Sequence, residues 1–186
     1  MVLFATGNVN KFNEARKVLA QYRIAVGMLR VKTLEIQSNN LEEIAKASVL
    51  NAFEKSRLPL MVEDAGLFID ALNGFPGPYA AYVYETISNK GLLKLMRVVR
   101  NRKAKFQSAL AYHSPELKEP KVFIGEVAGE IICTERRKSQ DSGFGFDPVF
   151  KPLRSEKTFA EMDITEKNNF SHRAAALLKF AKWYKA

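Results

Sequence analysis

Cysteine occurs once in this chain of 186 residues, at Cys133, and histidine only at His113 and His172. A disulfide framework needs cysteine pairs and a zinc centre needs several Cys/His ligands, so neither can be assembled and any metal must be held by oxygen. No apolar run approaches the roughly 20 residues that span a bilayer. The apolar stretch from Val2 to Ala5 is shorter than the apolar region of a signal peptide. These absences set the expectation of a soluble cytoplasmic protein with no membrane partner. Two familiar phosphate-binding patterns are missing as well: the Walker loop and the dinucleotide fingerprint of three spaced glycines. There is no Gly-x-Ser-x-Gly elbow, and two histidines leave little scope for Ser-His-Asp chemistry. With no internal repeat, low-complexity tract or linker, residues 1–186 are expected to form a single domain.

What is present is a hydrophobic fraction of 47%, enough for a substantial core, and a net charge of +9 from 29 Lys+Arg against 20 Asp+Glu. A basic balance fits either a nucleic-acid backbone or a small polyphosphate substrate. The cations are scattered, with modest clusters at Arg97, Arg100, Arg102, Lys103 and Lys105 and at Arg136, Arg137 and Lys138. Such runs read as solvated faces rather than a nucleic-acid track.

Strand and helix patterns alternate along the chain. Val2 to Ala5 reads as a buried strand, and Phe12, Ala15, Leu19 and Tyr22 recur at helical spacing from Lys11 onward. Ile24 to Val31 is strand-like, and Asn40 with Glu43 three residues on opens a helix through about Lys55. After Pro59, Leu60 to Val62 forms a short strand that ends at the acidic pair Glu63-Asp64. Gly74 to Pro78 demands a rigid turn, a helix resumes near Ser88, and strands follow at Phe106 to Tyr112 and Val122 to Ile132. The last helix is expected from Ser171 to Tyr184. This order indicates an α/β domain.

Four stretches can carry chemistry. In "FATGNVNK", the turn Thr6 to Asn10 leads from a strand into a helix, where backbone N–H groups and Lys11 suit a phosphate. Glu35, Glu63 and Asp64 are carboxylates of the kind that hold Mg²⁺, which tolerates few protein ligands and completes its shell with water and phosphate oxygens. In "SGFGFDPVF", Phe144 and Phe146 flank Gly145 in a glycine-containing loop, where a ring left accessible suits stacking on a purine and core packing is the competing use. Finally, Lys167, Ser171, His172 and Arg173 gather donors at the entry of the last helix.

In this order the motifs Thr6-Gly7-Asn8-Val9-Asn10-Lys11, Val62-Glu63-Asp64-Ala65-Gly66-Leu67, Gly74-Phe75-Pro76-Gly77-Pro78-Tyr79, Gly143-Phe144-Gly145-Phe146-Asp147-Pro148 and Glu166-Lys167-Asn168 with Ser171-His172-Arg173 resemble the inosine/xanthosine triphosphate pyrophosphatase family. The resemblance covers nearly the whole chain. It implies an elongated α/β fold with a long mixed central sheet flanked by helices, two lobes with the active-site cleft between them, a homodimer, and Mg²⁺-dependent cleavage of a nucleoside triphosphate to monophosphate and pyrophosphate. By the same resemblance Glu35 and Asp64 hold Mg²⁺, and Asp64 orients or deprotonates the attacking water. The turn from Thr6 through Gly7, Asn8, Val9 and Asn10 to Lys11 then handles the triphosphate. Phe144 and Phe146 with Gly145 flank the base, while Asp147, Lys167, His172 and Arg173 line the base and ribose end or the phosphates. Ala65 stands where many members of that family have serine, so a contact there must come from its backbone amide. Ala80-Ala81-Tyr82 likewise replaces a stretch where serines are frequent.

The expected substrates are the triphosphates of inosine, deoxyinosine and xanthosine. Two alternatives remain at this point: a basic nucleic-acid-binding protein, and a related pyrophosphatase acting on other modified nucleotides.

Overall fold

The structure, a computed structural model, describes residues 1–34 and 36–186. Glu35, expected as a metal ligand, lies outside the described residues. The strands are β1 (Val2–Ala5), β2 (Val26–Leu29), β3 (Leu60–Ile69), β4 (Pro76–Gly77), β5 (Lys103–His113), β6 (Lys121–Ile131) and β7 (Phe150–Pro152). The helices are α1 (Val9–Ala20), α2 (Leu41–Ser56), α3 (Ala80–Leu95), α4 (Ile164–Asn168) and α5 (His172–Lys185). No helix among the described residues is long and apolar enough to cross a membrane.

A seven-stranded sheet runs in the order β2-β1-β3-β5-β6-β7, with β4 paired to β3. It is mixed: β1 pairs in parallel with β2 and β3, whereas β3–β4 and β6–β7 are antiparallel. The chain divides into two compact units, one of Met1–Ala65, Ser108–Gly125 and His172–Ala186, the other of Gly66–Gln107 and Glu126–Ser171. No linker announces this division, because three of its boundaries fall inside β3, β5 and β6.

In the first unit, Ala15, Val18 and Leu19 of α1 pack with Ala174, Leu177, Phe180 and Ala181 of α5. Phe4, Met61, Leu110 and Tyr112 extend that core onto the strands. In the second unit, Leu67, Ile69, Leu92, Met96, Phe106, Phe146, Phe150 and Phe159 form a separate buried cluster. Burying one such side chain is worth about 1.5–3 kcal/mol before entropy is counted.

Three elements differ from the sequence expectation. β3 does not end at Glu63-Asp64 but runs on to Ile69, because the buried acid Glu63 is neutralised by partners rather than facing water. The Gly74 to Pro78 stretch contains a cis Phe75-Pro76 peptide and the short strand β4. Helix α3 begins at Ala80 and is broken at Ser88 (φ 56°, ψ −170°), so only its second half lies where a helix was expected.

Candidate active site

In the first unit the turn between β1 and α1 is organised by its own side chains. Thr6 Oγ1 accepts from Asn8 N–H (3.1 Å), and Asn8 Oδ1 caps the helix by accepting from the N–H groups of Asn10 (3.0 Å) and Lys11 (3.1 Å). Asn8 is thus an N-cap, the role that Asn fills well at this position. An open pocket of about 470 Å³ beside the turn is lined by Gly7, Arg30, Val31 and Lys32. Its two cations favour an anionic guest. Arg30 and Lys32 sit just beyond β2, where no motif in the sequence marks them.

Lys11 reaches from α1 to β3. Its ammonium donates to the Glu63 backbone carbonyl (3.3 Å) and pairs with Glu63 Oε2 (3.0 Å). The other carboxylate oxygen, Oε1, accepts from the Ser108 hydroxyl (2.6 Å) and pairs with Arg173 Nε (3.1 Å). Arg173 also donates from a terminal nitrogen to Glu14 on α1. Glu14, Glu63, Ser108 and Arg173 are all buried. Burial alone would raise the Glu63 carboxyl; the charges of Arg173 and Lys11 and the Ser108 hydrogen bond outweigh it, so the group lies well below the usual carboxylate range. For Arg173, burial opposes the charge, and Glu63 and Glu14 more than restore it, holding the guanidinium above its ordinary value.

The two acids at Glu63-Asp64 therefore have different fates. Adjacent strand residues point to opposite faces. Glu63 is consumed by its cationic partners, whereas Asp64 is half-buried and its Oδ1 accepts from the Ala65 N–H (3.0 Å). The Ala65 amide, expected to serve a ligand, is engaged with this carboxylate. No group of three or more Cys, His, Asp or Glu side chains able to hold a metal occurs among the described residues. What Asp64 offers is a hard oxygen donor, which fits a cation such as Mg²⁺ that binds through one or two carboxylates plus substrate phosphates.

The second unit holds the other expected residues. Lys167, on α4, is buried and forms an ion pair with Asp147 Oδ2 (2.6 Å). The same oxygen accepts from the Phe144 N–H (3.0 Å), closing the loop around Gly145, whose φ is +57°. The Lys167 ammonium lies 4.4 Å from the centroid of the half-buried Phe144 ring, a cation–π contact. Phe146 is buried in the core, edge-on to Tyr84 at 5.6 Å. Asn89, just after the α3 break, donates to the Gly145 carbonyl (3.2 Å) and so ties this loop to α3.

His172 and Arg173 open α5 in the first unit, whereas Lys167 belongs to α4 in the second. Their placement depends on Gly125 of β6. A Cβ there would lie 2.1 Å from the His172 carbonyl oxygen and 2.4 Å from the Ala176 nitrogen, so strand and helix backbones touch. Glycine within an apolar strand is the sequence signal for such an approach. Gly125→Ala is expected to destabilise the fold by about 1–3 kcal/mol, the usual cost of overpacking, as read by thermal unfolding. An unchanged melting temperature would show that β6 and α5 separate freely.

The sequence profile of the Ham1 family matches residues 2–183. The chain belongs to the Ham1 family. A protein of Methanopyrus kandleri named dITP/XTP pyrophosphatase is 48% identical over 184 residues, spanning 99% of this chain and 96% of that one. One of the same name from Hyperthermus butylicus is 46% identical over 184 residues, with 98% and 94% covered. Among solved structures, the Ham1 protein of Staphylococcus aureus is similar with a TM-score of 0.82 at 26% identity, covering 99% of this chain and 97% of that one. The Coxiella burnetii HAM1 protein gives the same TM-score and identity with 99% and 98% covered. The resemblance carried by the motifs is thereby borne out, and so is the mixed α/β sheet flanked by helices.

Proposed function

We propose that this Ham1-family protein hydrolyses the triphosphates of inosine, deoxyinosine and xanthosine to the monophosphate and pyrophosphate. The observation that carries this reading is the Lys11–Glu63–Arg173 cluster beside Asp64, in a chain 46–48% identical over 184 residues to relatives named dITP/XTP pyrophosphatase. In this reading the turn from Thr6 to Lys11, with Arg30 and Lys32 beside it, receives phosphate groups. Asp64, with Glu35, holds Mg²⁺. A divalent cation there supplies charge neutralisation to the phosphates.

Asp64 takes a proton from the attacking water, whose oxygen bonds to the α-phosphorus as the bond to the β-phosphate bridging oxygen breaks. Lys11 stabilises the charge that develops on the leaving pyrophosphate. No covalent intermediate on the protein is needed. The Phe144 ring stacks on the base, with Asp147 and Lys167 fixing its loop; Phe146 supports from the core. A base pocket of hydrogen-bond donors, backbone N–H groups among them, would favour a C6 carbonyl over the amino group of adenine. The reading extends to a homodimer, supported by the exposed Phe75, Tyr79 and Tyr82, and to the cytoplasm, where the free, exposed Cys133 stays reduced.

Hydrolysis of inosine triphosphate in ¹⁸O-enriched water tests the step itself. Attack at the α-phosphorus places the label in inosine monophosphate. Label in pyrophosphate instead would mean attack at the β-phosphorus and a different arrangement of Asp64 and substrate.

A further inference from the structure

We propose that Glu63 is a positioning residue of this site, its two carboxylate oxygens linking the buried Arg173 to the partly exposed Lys11 so that the buried network aims the Lys11 ammonium at the nucleotide; the inference rests on the pyrophosphatase reading above. The geometry is specific. Oε2 faces Lys11 at 3.0 Å, and Oε1 faces Arg173 Nε at 3.1 Å. The Glu63 side chain is fully buried, and the Ser108 hydroxyl at 2.6 Å fixes which oxygen faces which cation. The Glu63 carbonyl takes a further hydrogen of Lys11, so one residue supplies two of the contacts that aim this ammonium.

This bridge joins the start of α1, where Lys11 sits, to the start of α5, where Arg173 sits. Each helix begins with a cation, Lys11 partly exposed and Arg173 buried, and the charge between them on β3 ties the two together. Groups in one ion network show non-additive effects when changed together. Glu63 is thus expected to be the origin of energetic coupling between Lys11 and Arg173, without itself touching the nucleotide.

The test is a double-mutant cycle on kcat/KM for inosine triphosphate, using Lys11→Met and Arg173→Lys singly and together. It is run in the wild-type, Glu63→Gln and Ser108→Ala backgrounds, each checked for cooperative unfolding. In the wild-type background the combined effect should differ from the product of the single effects by about fivefold or more. In Glu63→Gln, which keeps the shape and an acceptor for Ser108, the effects should multiply within about twofold. If Glu63→Gln does not fold, Ser108→Ala decides: all charges remain, and the coupling should fall measurably below the wild-type value. Coupling at full strength in a folded Glu63→Gln, or in Ser108→Ala where Glu63→Gln does not fold, overturns the positioning role while leaving the pyrophosphatase reading intact. Absence of pyrophosphate release by the wild type overturns that reading and this role with it.

Discussion

Asp64→Asn is expected to lower kcat on inosine triphosphate by about 10³-fold, within the range that a positioned general base contributes, and to leave KM within a few-fold of wild type. The amide matches the carboxylate in shape, and its oxygen can still accept from the Ala65 N–H that Asp64 Oδ1 now holds. What it lacks is the charge for a cation and the basicity to take a proton from water. Because Lys11 and the Thr6 to Lys11 turn are untouched, substrate binding should survive. Single-turnover kinetics at saturating Mg²⁺ separate the two effects. Turnover near wild type would remove Asp64 from the reaction.

Arg173→Met is expected to cost about 3–5 kcal/mol of stability at pH 7, a fall in melting temperature of about 10 °C, since removing one partner of a buried ion network strands the others. The stranded groups are Glu14 and Glu63. The pH dependence has a definite sign. In the wild type the Glu63 carboxyl is depressed below its ordinary value of 4.5, so its contribution is present above that value and is lost as pH falls through the folded one. In the variant that contribution is gone, and a protonated carboxyl is less costly to bury. The gap between wild type and variant should therefore narrow from pH 7 to pH 4. A gap independent of pH would place the loss in packing instead of charge. The same burial makes Arg173→Ala a poor probe of base selectivity, because it removes a structural cation; Arg173→Lys retains the charge and isolates the guanidinium geometry.

Much of the fold was legible because local rules agreed with the final packing. Asn8 and Asn40 cap α1 and α2, and the apolar stripe of Ala15 and Leu19 does face the core. Glu43, expected to complete a capping box with Asn40, instead accepts from the Ser38 hydroxyl (2.7 Å). The extension of β3 past Glu63 and the early start of α3 were not legible. In β3 the apolar pattern breaks at a charge that tertiary partners neutralise; in α3 the glycines and prolines just upstream masked a helix that Ser88 then interrupts.

The site divides in the same way. Its motif residues could be named from sequence, but their partners could not: Arg173 meets Glu14 across 159 positions, and Glu63 meets Ser108 across 45. One weak signal existed for each. Glu14 lies four residues before Val18 on the buried stripe of α1, and Ser108 directly precedes the apolar run Ala109 to Tyr112 of β5. The fate of Phe146 shows the limit of pattern reading, since a ring flanked by glycine and aspartate turned inward to Tyr84 while Phe144 kept part of its face open.

The most direct measurement is pyrophosphate release from inosine, xanthosine, guanosine and adenosine triphosphates, each with Mg²⁺ and with chelator. Metal-dependent release from inosine and xanthosine triphosphates, with little from the other two, is the expected result. Equal release from all four would contradict the base selectivity, and none from any would contradict the pyrophosphatase function itself.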